Sequence, residues 1–271
     1  MPTLGETLAG RRRSGKGSLL AYLMGGTLPR ERYLEAVDRL TAIGVTGLEV
    51  GFPFSDPIAE GPVIQRAATE ALSRGFHWAD LVSLVPETSR RLPTAVMTYL
   101  NVFEHRGIGP SLTEIGAQGV SAVIVPDLPV EEADVFRNER GRTGIDTVLL
   151  ASPGAPPTRV KRIARRTEGF LYLVSRYGTT GVTNEKALDP SRPAPELSGI
   201  LKEVRTTRPR LPVLVGFGVS RPEDVRRYRT LGADGVVVGS AFQALLGPGG
   251  SLKPLEDLAG DLVHALEVSD G

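Results

Sequence analysis

Glu49 and Glu60 bracket the run Glu49-Val-Gly-Phe-Pro-Phe-Ser-Asp-Pro-Ile-Ala-Glu60-Gly-Pro, and two carboxylates so placed could divide general acid and general base work between them. Glu49 lies between Leu48 and Val50 in an apolar stretch, so folding strips its water unless a partner or a ligand compensates. Desolvation disfavours the charged form and lifts a carboxyl toward neutrality, where proton transfer is most efficient. The competing reading is a buried glutamate satisfied by backbone or hydroxyl donors. Asp56, in Ser55-Asp56-Pro57, suits a turn as well as a reaction, and Glu60, before Gly61-Pro62, suits a helix start or a solvated loop. Their spacing is not that of a metal motif, and His77, His105 and His264 are far apart, so no metal site is expected.

A second group of residues is glycine-rich. Ser175-Arg-Tyr-Gly178-Thr-Thr-Gly181, Gly216-Phe-Gly218-Val-Ser220 and Gly239-Ser240-Ala-Phe each follow an apolar stretch. Glycine lets backbone approach a ligand closely, and free N–H groups there suit a phosphate. One such segment is weak evidence; three in order after the last strands of an alternating chain are stronger, because the final loops of a β/α barrel are a recurrent phosphate location. Tyr22, Met97, Tyr99, Ile124, Tyr172 and Phe217 fall at or near other strand ends, where they could line a flat apolar slot between the acids and the glycines or simply fill a core.

The elements that must position these groups alternate regularly. Apolar strands are expected at Ser18–Met24, Gly47–Val50, Thr94–Tyr99, Ala122–Val125, Asp146–Leu150, Phe170–Val174, Leu211–Val215 and Gly235–Val238. Helical periods are expected near residues 3–12 and at Tyr33–Ile43, Ile64–Ser73, Asp80–Arg90, Glu131–Glu139, Arg159–Arg166, Leu197–Val204, Glu223–Tyr228, Ala241–Leu246 and Leu255–Leu266. Strands that are apolar throughout must be covered on both faces, which calls for a parallel sheet wrapped by helices. Eight of them fit closure into a barrel; a doubly wound open sheet is the other solution. The helix content between residues 64 and 92 exceeds one crossover and is expected to decorate the rim.

At 271 residues, one core can still serve the whole chain, and a single domain spanning 1–271 is expected. A 41% hydrophobic and 23% charged composition is that of a globular protein. The net charge of +1 gives no broad attraction for nucleic acid, and the short basic runs at Arg11–Arg13 and Arg165–Arg166 carry no interleaved aromatics. The absence of cysteine excludes disulfide scaffolds, iron–sulfur sites and thiolate catalysis. No apolar run is long enough to span a membrane and the first residues do not pattern as a signal peptide, so a cytoplasmic location is expected.

With these residues in place, the chain resembles the alpha subunit family of tryptophan synthase. The resemblance is carried by Leu48-Glu-Val-Gly-Phe-Pro-Phe-Ser-Asp-Pro-Ile-Ala-Glu-Gly-Pro-Val-Ile-Gln65, Tyr99-Leu-Asn, Val125-Pro-Asp-Leu-Pro-Val-Glu-Glu132, Tyr172-Leu-Val-Ser-Arg-Tyr-Gly-Thr-Thr-Gly181, Gly216-Phe-Gly-Val-Ser and Val238-Gly-Ser, and it extends from about Leu20 to Leu266. It implies a single (β/α)8 TIM barrel with an extra N-terminal helix and rim helices. It further implies cleavage of indole-3-glycerol phosphate to indole and glyceraldehyde 3-phosphate, with Glu49 and Glu60 as the catalytic pair. Tyr22, Met97, Tyr99, Ile124, Tyr172 and Phe217 would surround the substrate, Gly181, Gly218, Gly239 and Ser240 would hold its phosphate, and Thr180 would help close the site. No cofactor is implied for this chain. The implied partner is a pyridoxal-phosphate-dependent beta subunit in an α2β2 complex.

The chain departs from the family pattern at informative positions. Glu60 stands where aspartate is usual, Tyr22-Leu-Met-Gly-Gly-Thr-Leu-Pro29 lacks the usual aspartate–proline and has Thr27 in place of the carboxylate, and Tyr177 is unusually bulky. These changes leave open a stand-alone lyase and a non-catalytic paralogue that regulates a partner. A phosphosugar isomerase or aldolase on the same barrel is a further alternative, although no lysine falls at a strand end to form a Schiff base.

Overall fold

The first strand, Ser-Leu-Leu-Ala-Tyr-Leu-Met, is buried at every position, and the same holds for most of the strands that follow. The computed structural model describes residues 1–175 and 196–267. The chain runs α1 (Leu4–Arg13), β1 (Ser18–Met24), α2 (Arg30–Ile43), β2 (Gly47–Gly51), α3 (Pro62–Ser73), α4 (Trp78–Ser89), β3 (Thr94–Met97), α5 (Leu100–Arg106) and α6 (Ile108–Ala117). It continues with β4 (Val120–Ile124), α7 (Asp134–Arg137), α8 (Arg140–Thr143), β5 (Asp146–Ala151), α9 (Pro157–Arg166) and β6 (Leu171–Val174). The last part holds α10 (Glu196–Thr207), β7 (Val213–Gly216), α11 (Pro222–Thr230), β8 (Gly235–Val238), α12 (Ser240–Gln243) and α13 (Lys253–Glu267). The strands pair in parallel in chain order, and β1 pairs with both β2 and β8, so the sheet closes into a (β/α)8 barrel and the open-sheet alternative is discarded.

Alternation along the strands explains why they read as continuous apolar runs. Leu20, Tyr22, Ala95, Met97, Ala122, Ile124, Val148, Tyr172, Leu214 and Val237 form the barrel interior, while Leu19, Ala21, Leu48, Val50, Val96 and Val123 meet the surrounding helices. α1 closes the N-terminal end. Its Leu4 and Leu8 join the interior set, and the Leu4 N–H donates to Ser121 Oγ at 3.0 Å. Thr3 and Glu6 cap this helix reciprocally, with Glu6 N–H to Thr3 Oγ1 at 3.1 Å and Thr3 N–H to Glu6 Oε2 at 2.9 Å. The opposite end, where the strands finish, is left for a ligand.

The two helices between β2 and β3 divide their roles. α4 packs with α2 and β3 as the crossover, whereas α3 buries Ile64, Ala67, Ala68 and Ala71 against the interior set on the rim side. Three local features differ from the sequence reading. The strand expected to reach Tyr99 stops at Met97, and Tyr99 instead takes an extended conformation before α5. The helices α5 and α6 were not anticipated, because Gly107 at φ 85° breaks them apart and Pro110 sits in the first turn of α6, which obscures a 3.6-residue period. The helix expected at Glu131–Glu139 shrinks to the single turn α7, and a second single turn, α8, follows it beyond that range, neither with a side-chain cap. Among the described residues no helix is long and apolar enough to cross a membrane.

Candidate active site

Glu49 is the third residue of β2, in register with Tyr22 of β1 and Ala95 of β3. Leu48 and Val50 face the helices, so the pleat turns Glu49 inward. Its side chain is fully buried, and neither carboxylate oxygen has a hydrogen-bond partner. Burial first, and the neighbouring Glu60 charge second, push its pKa up to about 8.

Glu60 reaches the same space from the loop between β2 and α3. It too is buried, and desolvation raises its pKa to about 7. The loop is pinned at several points. Ala59 N–H donates to the Tyr99 hydroxyl at 3.0 Å, and Phe54 stacks on the Tyr99 ring with centroids 5.1 Å apart. Gln65 Nε2 donates to the Glu60 carbonyl at 3.0 Å, tying the loop to α3. Asp56 is exposed and accepts from Ser55 Oγ at 2.5 Å, the arrangement of a turn residue.

Both acids border a cavity of about 1100 Å³ at the C-terminal end of the barrel. Its wall includes Tyr22, Met97, Tyr172, Phe217, Gly218, Gly239 and Ser240, so these sequence-derived candidates converge on one space. Two others do not border it. Ile124 is fully buried within the interior set, and Tyr99 is occupied in holding the Glu60 loop. Thr180, Gly181 and Tyr177 lie outside the described residues. Leu150, a wall residue the sequence reading passed over, is partly exposed and belongs to the inward series Val148, Leu150 of β5. Its signal was its place at the end of an apolar strand, as for Met97. Arg159, at the rim, pairs with Glu131 at 3.2 Å.

Space for the two wall tyrosines is created by glycine. A Cβ on Gly51 would lie 2.2 Å from the Tyr22 hydroxyl, and one on Gly216 would lie 2.3 Å from the Tyr172 hydroxyl. Both phenols are held well above their ordinary pKa, by burial first and then by the two glutamates, so they remain neutral. Tyr172 meets Phe217 edge-on, with centroids 5.6 Å apart. Phe217 has a left-handed backbone, φ 66°, a strain of about 1–3 kcal/mol that persists only where surroundings enforce it. Ser175 supplies that enforcement, donating its hydroxyl to the Phe217 carbonyl and its N–H to the Gly216 carbonyl at 2.9 Å.

The arrangement therefore offers two buried acids with raised pKa values, an apolar and aromatic wall, and glycine-bearing turns after β7 and β8. It suits proton transfer on a flat apolar group that carries an anionic tail. Among the described residues no group of three or more His, Cys, Asp or Glu side chains could hold a metal ion.

Comparison with known proteins agrees with this chemistry. The tryptophan synthase alpha chain family model matches residues 8–248. The tryptophan synthase alpha chain of Microcystis aeruginosa is 36% identical, covering 98% of this chain and 100% of that protein. That of Gloeobacter violaceus is 40% identical, covering 89% and 86%. The solved tryptophan synthase subunit alpha of Legionella pneumophila superposes with a TM-score of 0.83 at 30% identity, covering 98% of this chain and 99% of that one. By family match, near-full-length identity and fold, the chain belongs to the tryptophan synthase alpha chain family.

Proposed function

We propose that the cavity cleaves indole-3-glycerol phosphate to indole and glyceraldehyde 3-phosphate, a carbon–carbon lyase reaction. The observation that carries the assignment is the Glu49 carboxyl, buried with both oxygens unpartnered at the cavity wall. With a pKa near 8 it is largely protonated at neutral pH and has a proton to give.

The steps follow from placing an indole ring against the two acids. Glu49 protonates indole C3, which makes the ring an electron-accepting indolenine. Glu60, ionised, accepts the N1–H hydrogen bond and stabilises the positive charge that develops there. Removal of the proton from the side-chain hydroxyl on the carbon bonded to C3 forms the aldehyde carbonyl. The C3–carbon bond breaks, and its electron pair restores the C2–C3 double bond and neutralises N1. The Glu49 carboxylate, vacated in the first step, is placed to take that hydroxyl proton. The low-dielectric wall strengthens each of these interactions. Gly218, Gly239 and Ser240, on turns after β7 and β8, are assigned to the phosphate, and Tyr22, Met97, Leu150, Tyr172 and Phe217 to the ring and channel. No lysine borders the cavity among the described residues, which counts against a Schiff-base aldolase.

The partner proposed is a pyridoxal-phosphate-dependent beta subunit, in an α2β2 assembly, that would consume the indole. Ile58, 65% exposed and bordering the cavity, is apolar surface such a subunit would cover. The test is a timed product assay with indole-3-glycerol phosphate, alone and with a beta subunit. Release of indole and glyceraldehyde 3-phosphate in equal amounts is expected. A folded protein that binds the substrate and releases no indole in either condition refutes the assignment.

A further inference from the structure

Thr27, one of the positions at which the chain departs from its family pattern, is buried in the loop after β1 and closes a ring of hydrogen bonds with Gln243 of α12. The Met24 N–H, at the end of β1, donates to Gln243 Oε1 at 3.0 Å. Gln243 Nε2 donates to Thr27 Oγ1 at 3.3 Å, and the Thr27 hydroxyl donates back to the Met24 carbonyl at 3.0 Å. Every proton direction is defined. The hydroxyl must accept and donate at once, and the residue opposite must do the same through two different atoms, which an amide can and an ionised carboxylate cannot.

Gln243 is 6% exposed and Thr27 5%, so neither has ready exchange with water, and an unpaired group here would carry the full desolvation penalty. The ring is tied to the cavity wall through the turn after β8. The Gln243 N–H bonds the Gly239 carbonyl at 2.9 Å, closing the turn in which Gly239 and Ser240 face the cavity. Met24 also receives the Tyr22 hydroxyl at its sulfur, 3.7 Å away. On the other side, Arg74, just past the end of α3, donates to the Thr27 carbonyl and to Glu70 of α3, the helix that follows Glu60.

We infer that Gln243 and Thr27 are positioning residues that hold the Gly239–Ser240 arm at a fixed distance from β1 and so set affinity for the anionic end of the substrate. This rests on the assignment of that arm to phosphate in the proposed function. Neither side chain borders the cavity. Their effect is therefore on binding of the tail and not on proton transfer at the ring.

The test measures KM and kcat for indole-3-glycerol phosphate, and competition by inorganic phosphate, in Gln243→Leu, Thr27→Val and Thr27→Ser, with melting temperatures recorded for each. Gln243→Leu and Thr27→Val should each raise KM by about tenfold and weaken phosphate competition by the same factor, with kcat within about twofold of the parent. The double variant should be no worse than the poorer single, because both break one ring. Thr27→Ser, which keeps the hydroxyl, should restore KM. If Gln243→Leu does not fold, the Thr27→Val and Thr27→Ser pair decides. Folded variants with parental KM, or with kcat reduced and KM unchanged, overturn the inference. If the parent chain releases no indole, the lyase assignment fails by itself, and calorimetric titration with inorganic phosphate then reads the joint: weaker binding in Thr27→Val but not in Thr27→Ser supports it, and equal binding or none in the parent overturns it.

Discussion

Buried acids occur at both ends of this barrel, and they are treated in opposite ways. At the N-terminal end Asp234 is held by Arg12 at 2.9 Å, Arg205 at 2.7 Å and the Val213 N–H at 2.7 Å, while Asp146 is held by Arg140 at 2.7 Å. At the C-terminal end Glu49 has no partner for either oxygen, and the nearest charge that affects it is another glutamate. A paired buried acid is compensated, and breaking the pair costs stability; an unpaired one is a standing cost, retained where a ligand or a proton is to be exchanged. The contrast separates the end that supports the barrel from the end that reacts.

Substitution should break the contrast in opposite directions. Glu49→Gln is expected to lower kcat by about a thousandfold, the scale of general acid–base catalysis, while substrate binding persists. Because the folded pKa of Glu49 lies above its unfolded value of 4.5, the folded state binds the extra proton between about pH 4.5 and 8. Stability should thus fall as pH rises through that window, by at most a few kcal/mol, and Glu49→Gln should lessen the dependence, leaving the part below about pH 7 that belongs to Glu60, as thermal melts at several pH values would register. Asp234→Asn should instead lose about 3–5 kcal/mol of stability with kcat per folded molecule unchanged, measured by urea unfolding and by assay.

Smaller effects sharpen the same picture. The dependence of kcat/KM on pH should be a narrow bell, rising near 7 as Glu60 ionises and falling near 8 as Glu49 does. The limbs belong to the coupled pair, and Glu60→Gln should remove the acidic limb with about a hundredfold loss of rate. Gly216→Ala, which would drive a methyl group into the Tyr172 hydroxyl, should cost about 1–3 kcal/mol in stability and raise KM, both accessible by melting and steady-state kinetics. Tyr99→Phe removes the hydroxyl that receives the Ala59 N–H, and a loss of about 0.5–1.5 kcal/mol with a modest fall in kcat is expected.

Much of this was legible in the chain because barrel strands are buried on both faces and announce themselves as apolar runs. Glu49 stood out for the same reason, as a charge inside such a run. Glu60 and the glycines that follow β7 and β8 could be named, but their convergence with Glu49 depends on strand order and closure, which no local pattern contains. Tyr99 shows the limit most clearly. Its place beside a strand end marked it as wall, whereas the early end of β3 at Met97 puts it under the Glu60 loop, where its ring and hydroxyl are occupied. Thr27 was marked only as a departure from the family pattern and Gln243 gave no signal, since the two are 216 residues apart and meaningful only as a ring. The paired helices α5 and α6 were hidden by the glycine and proline interruptions at Gly107 and Pro110, and the single turn α8, with Gly141 inside it, is too short to show a period.

The central claim is that Glu49 is a buried acid kept protonated at neutral pH, and infrared difference spectroscopy between the parent and Glu49→Gln reads it directly. A protonated carboxyl band present at pH 7 in the parent, absent from the variant and lost on titration through about pH 8, is the predicted result. A parent spectrum already showing that residue as an ionised carboxylate at pH 6 would contradict the account.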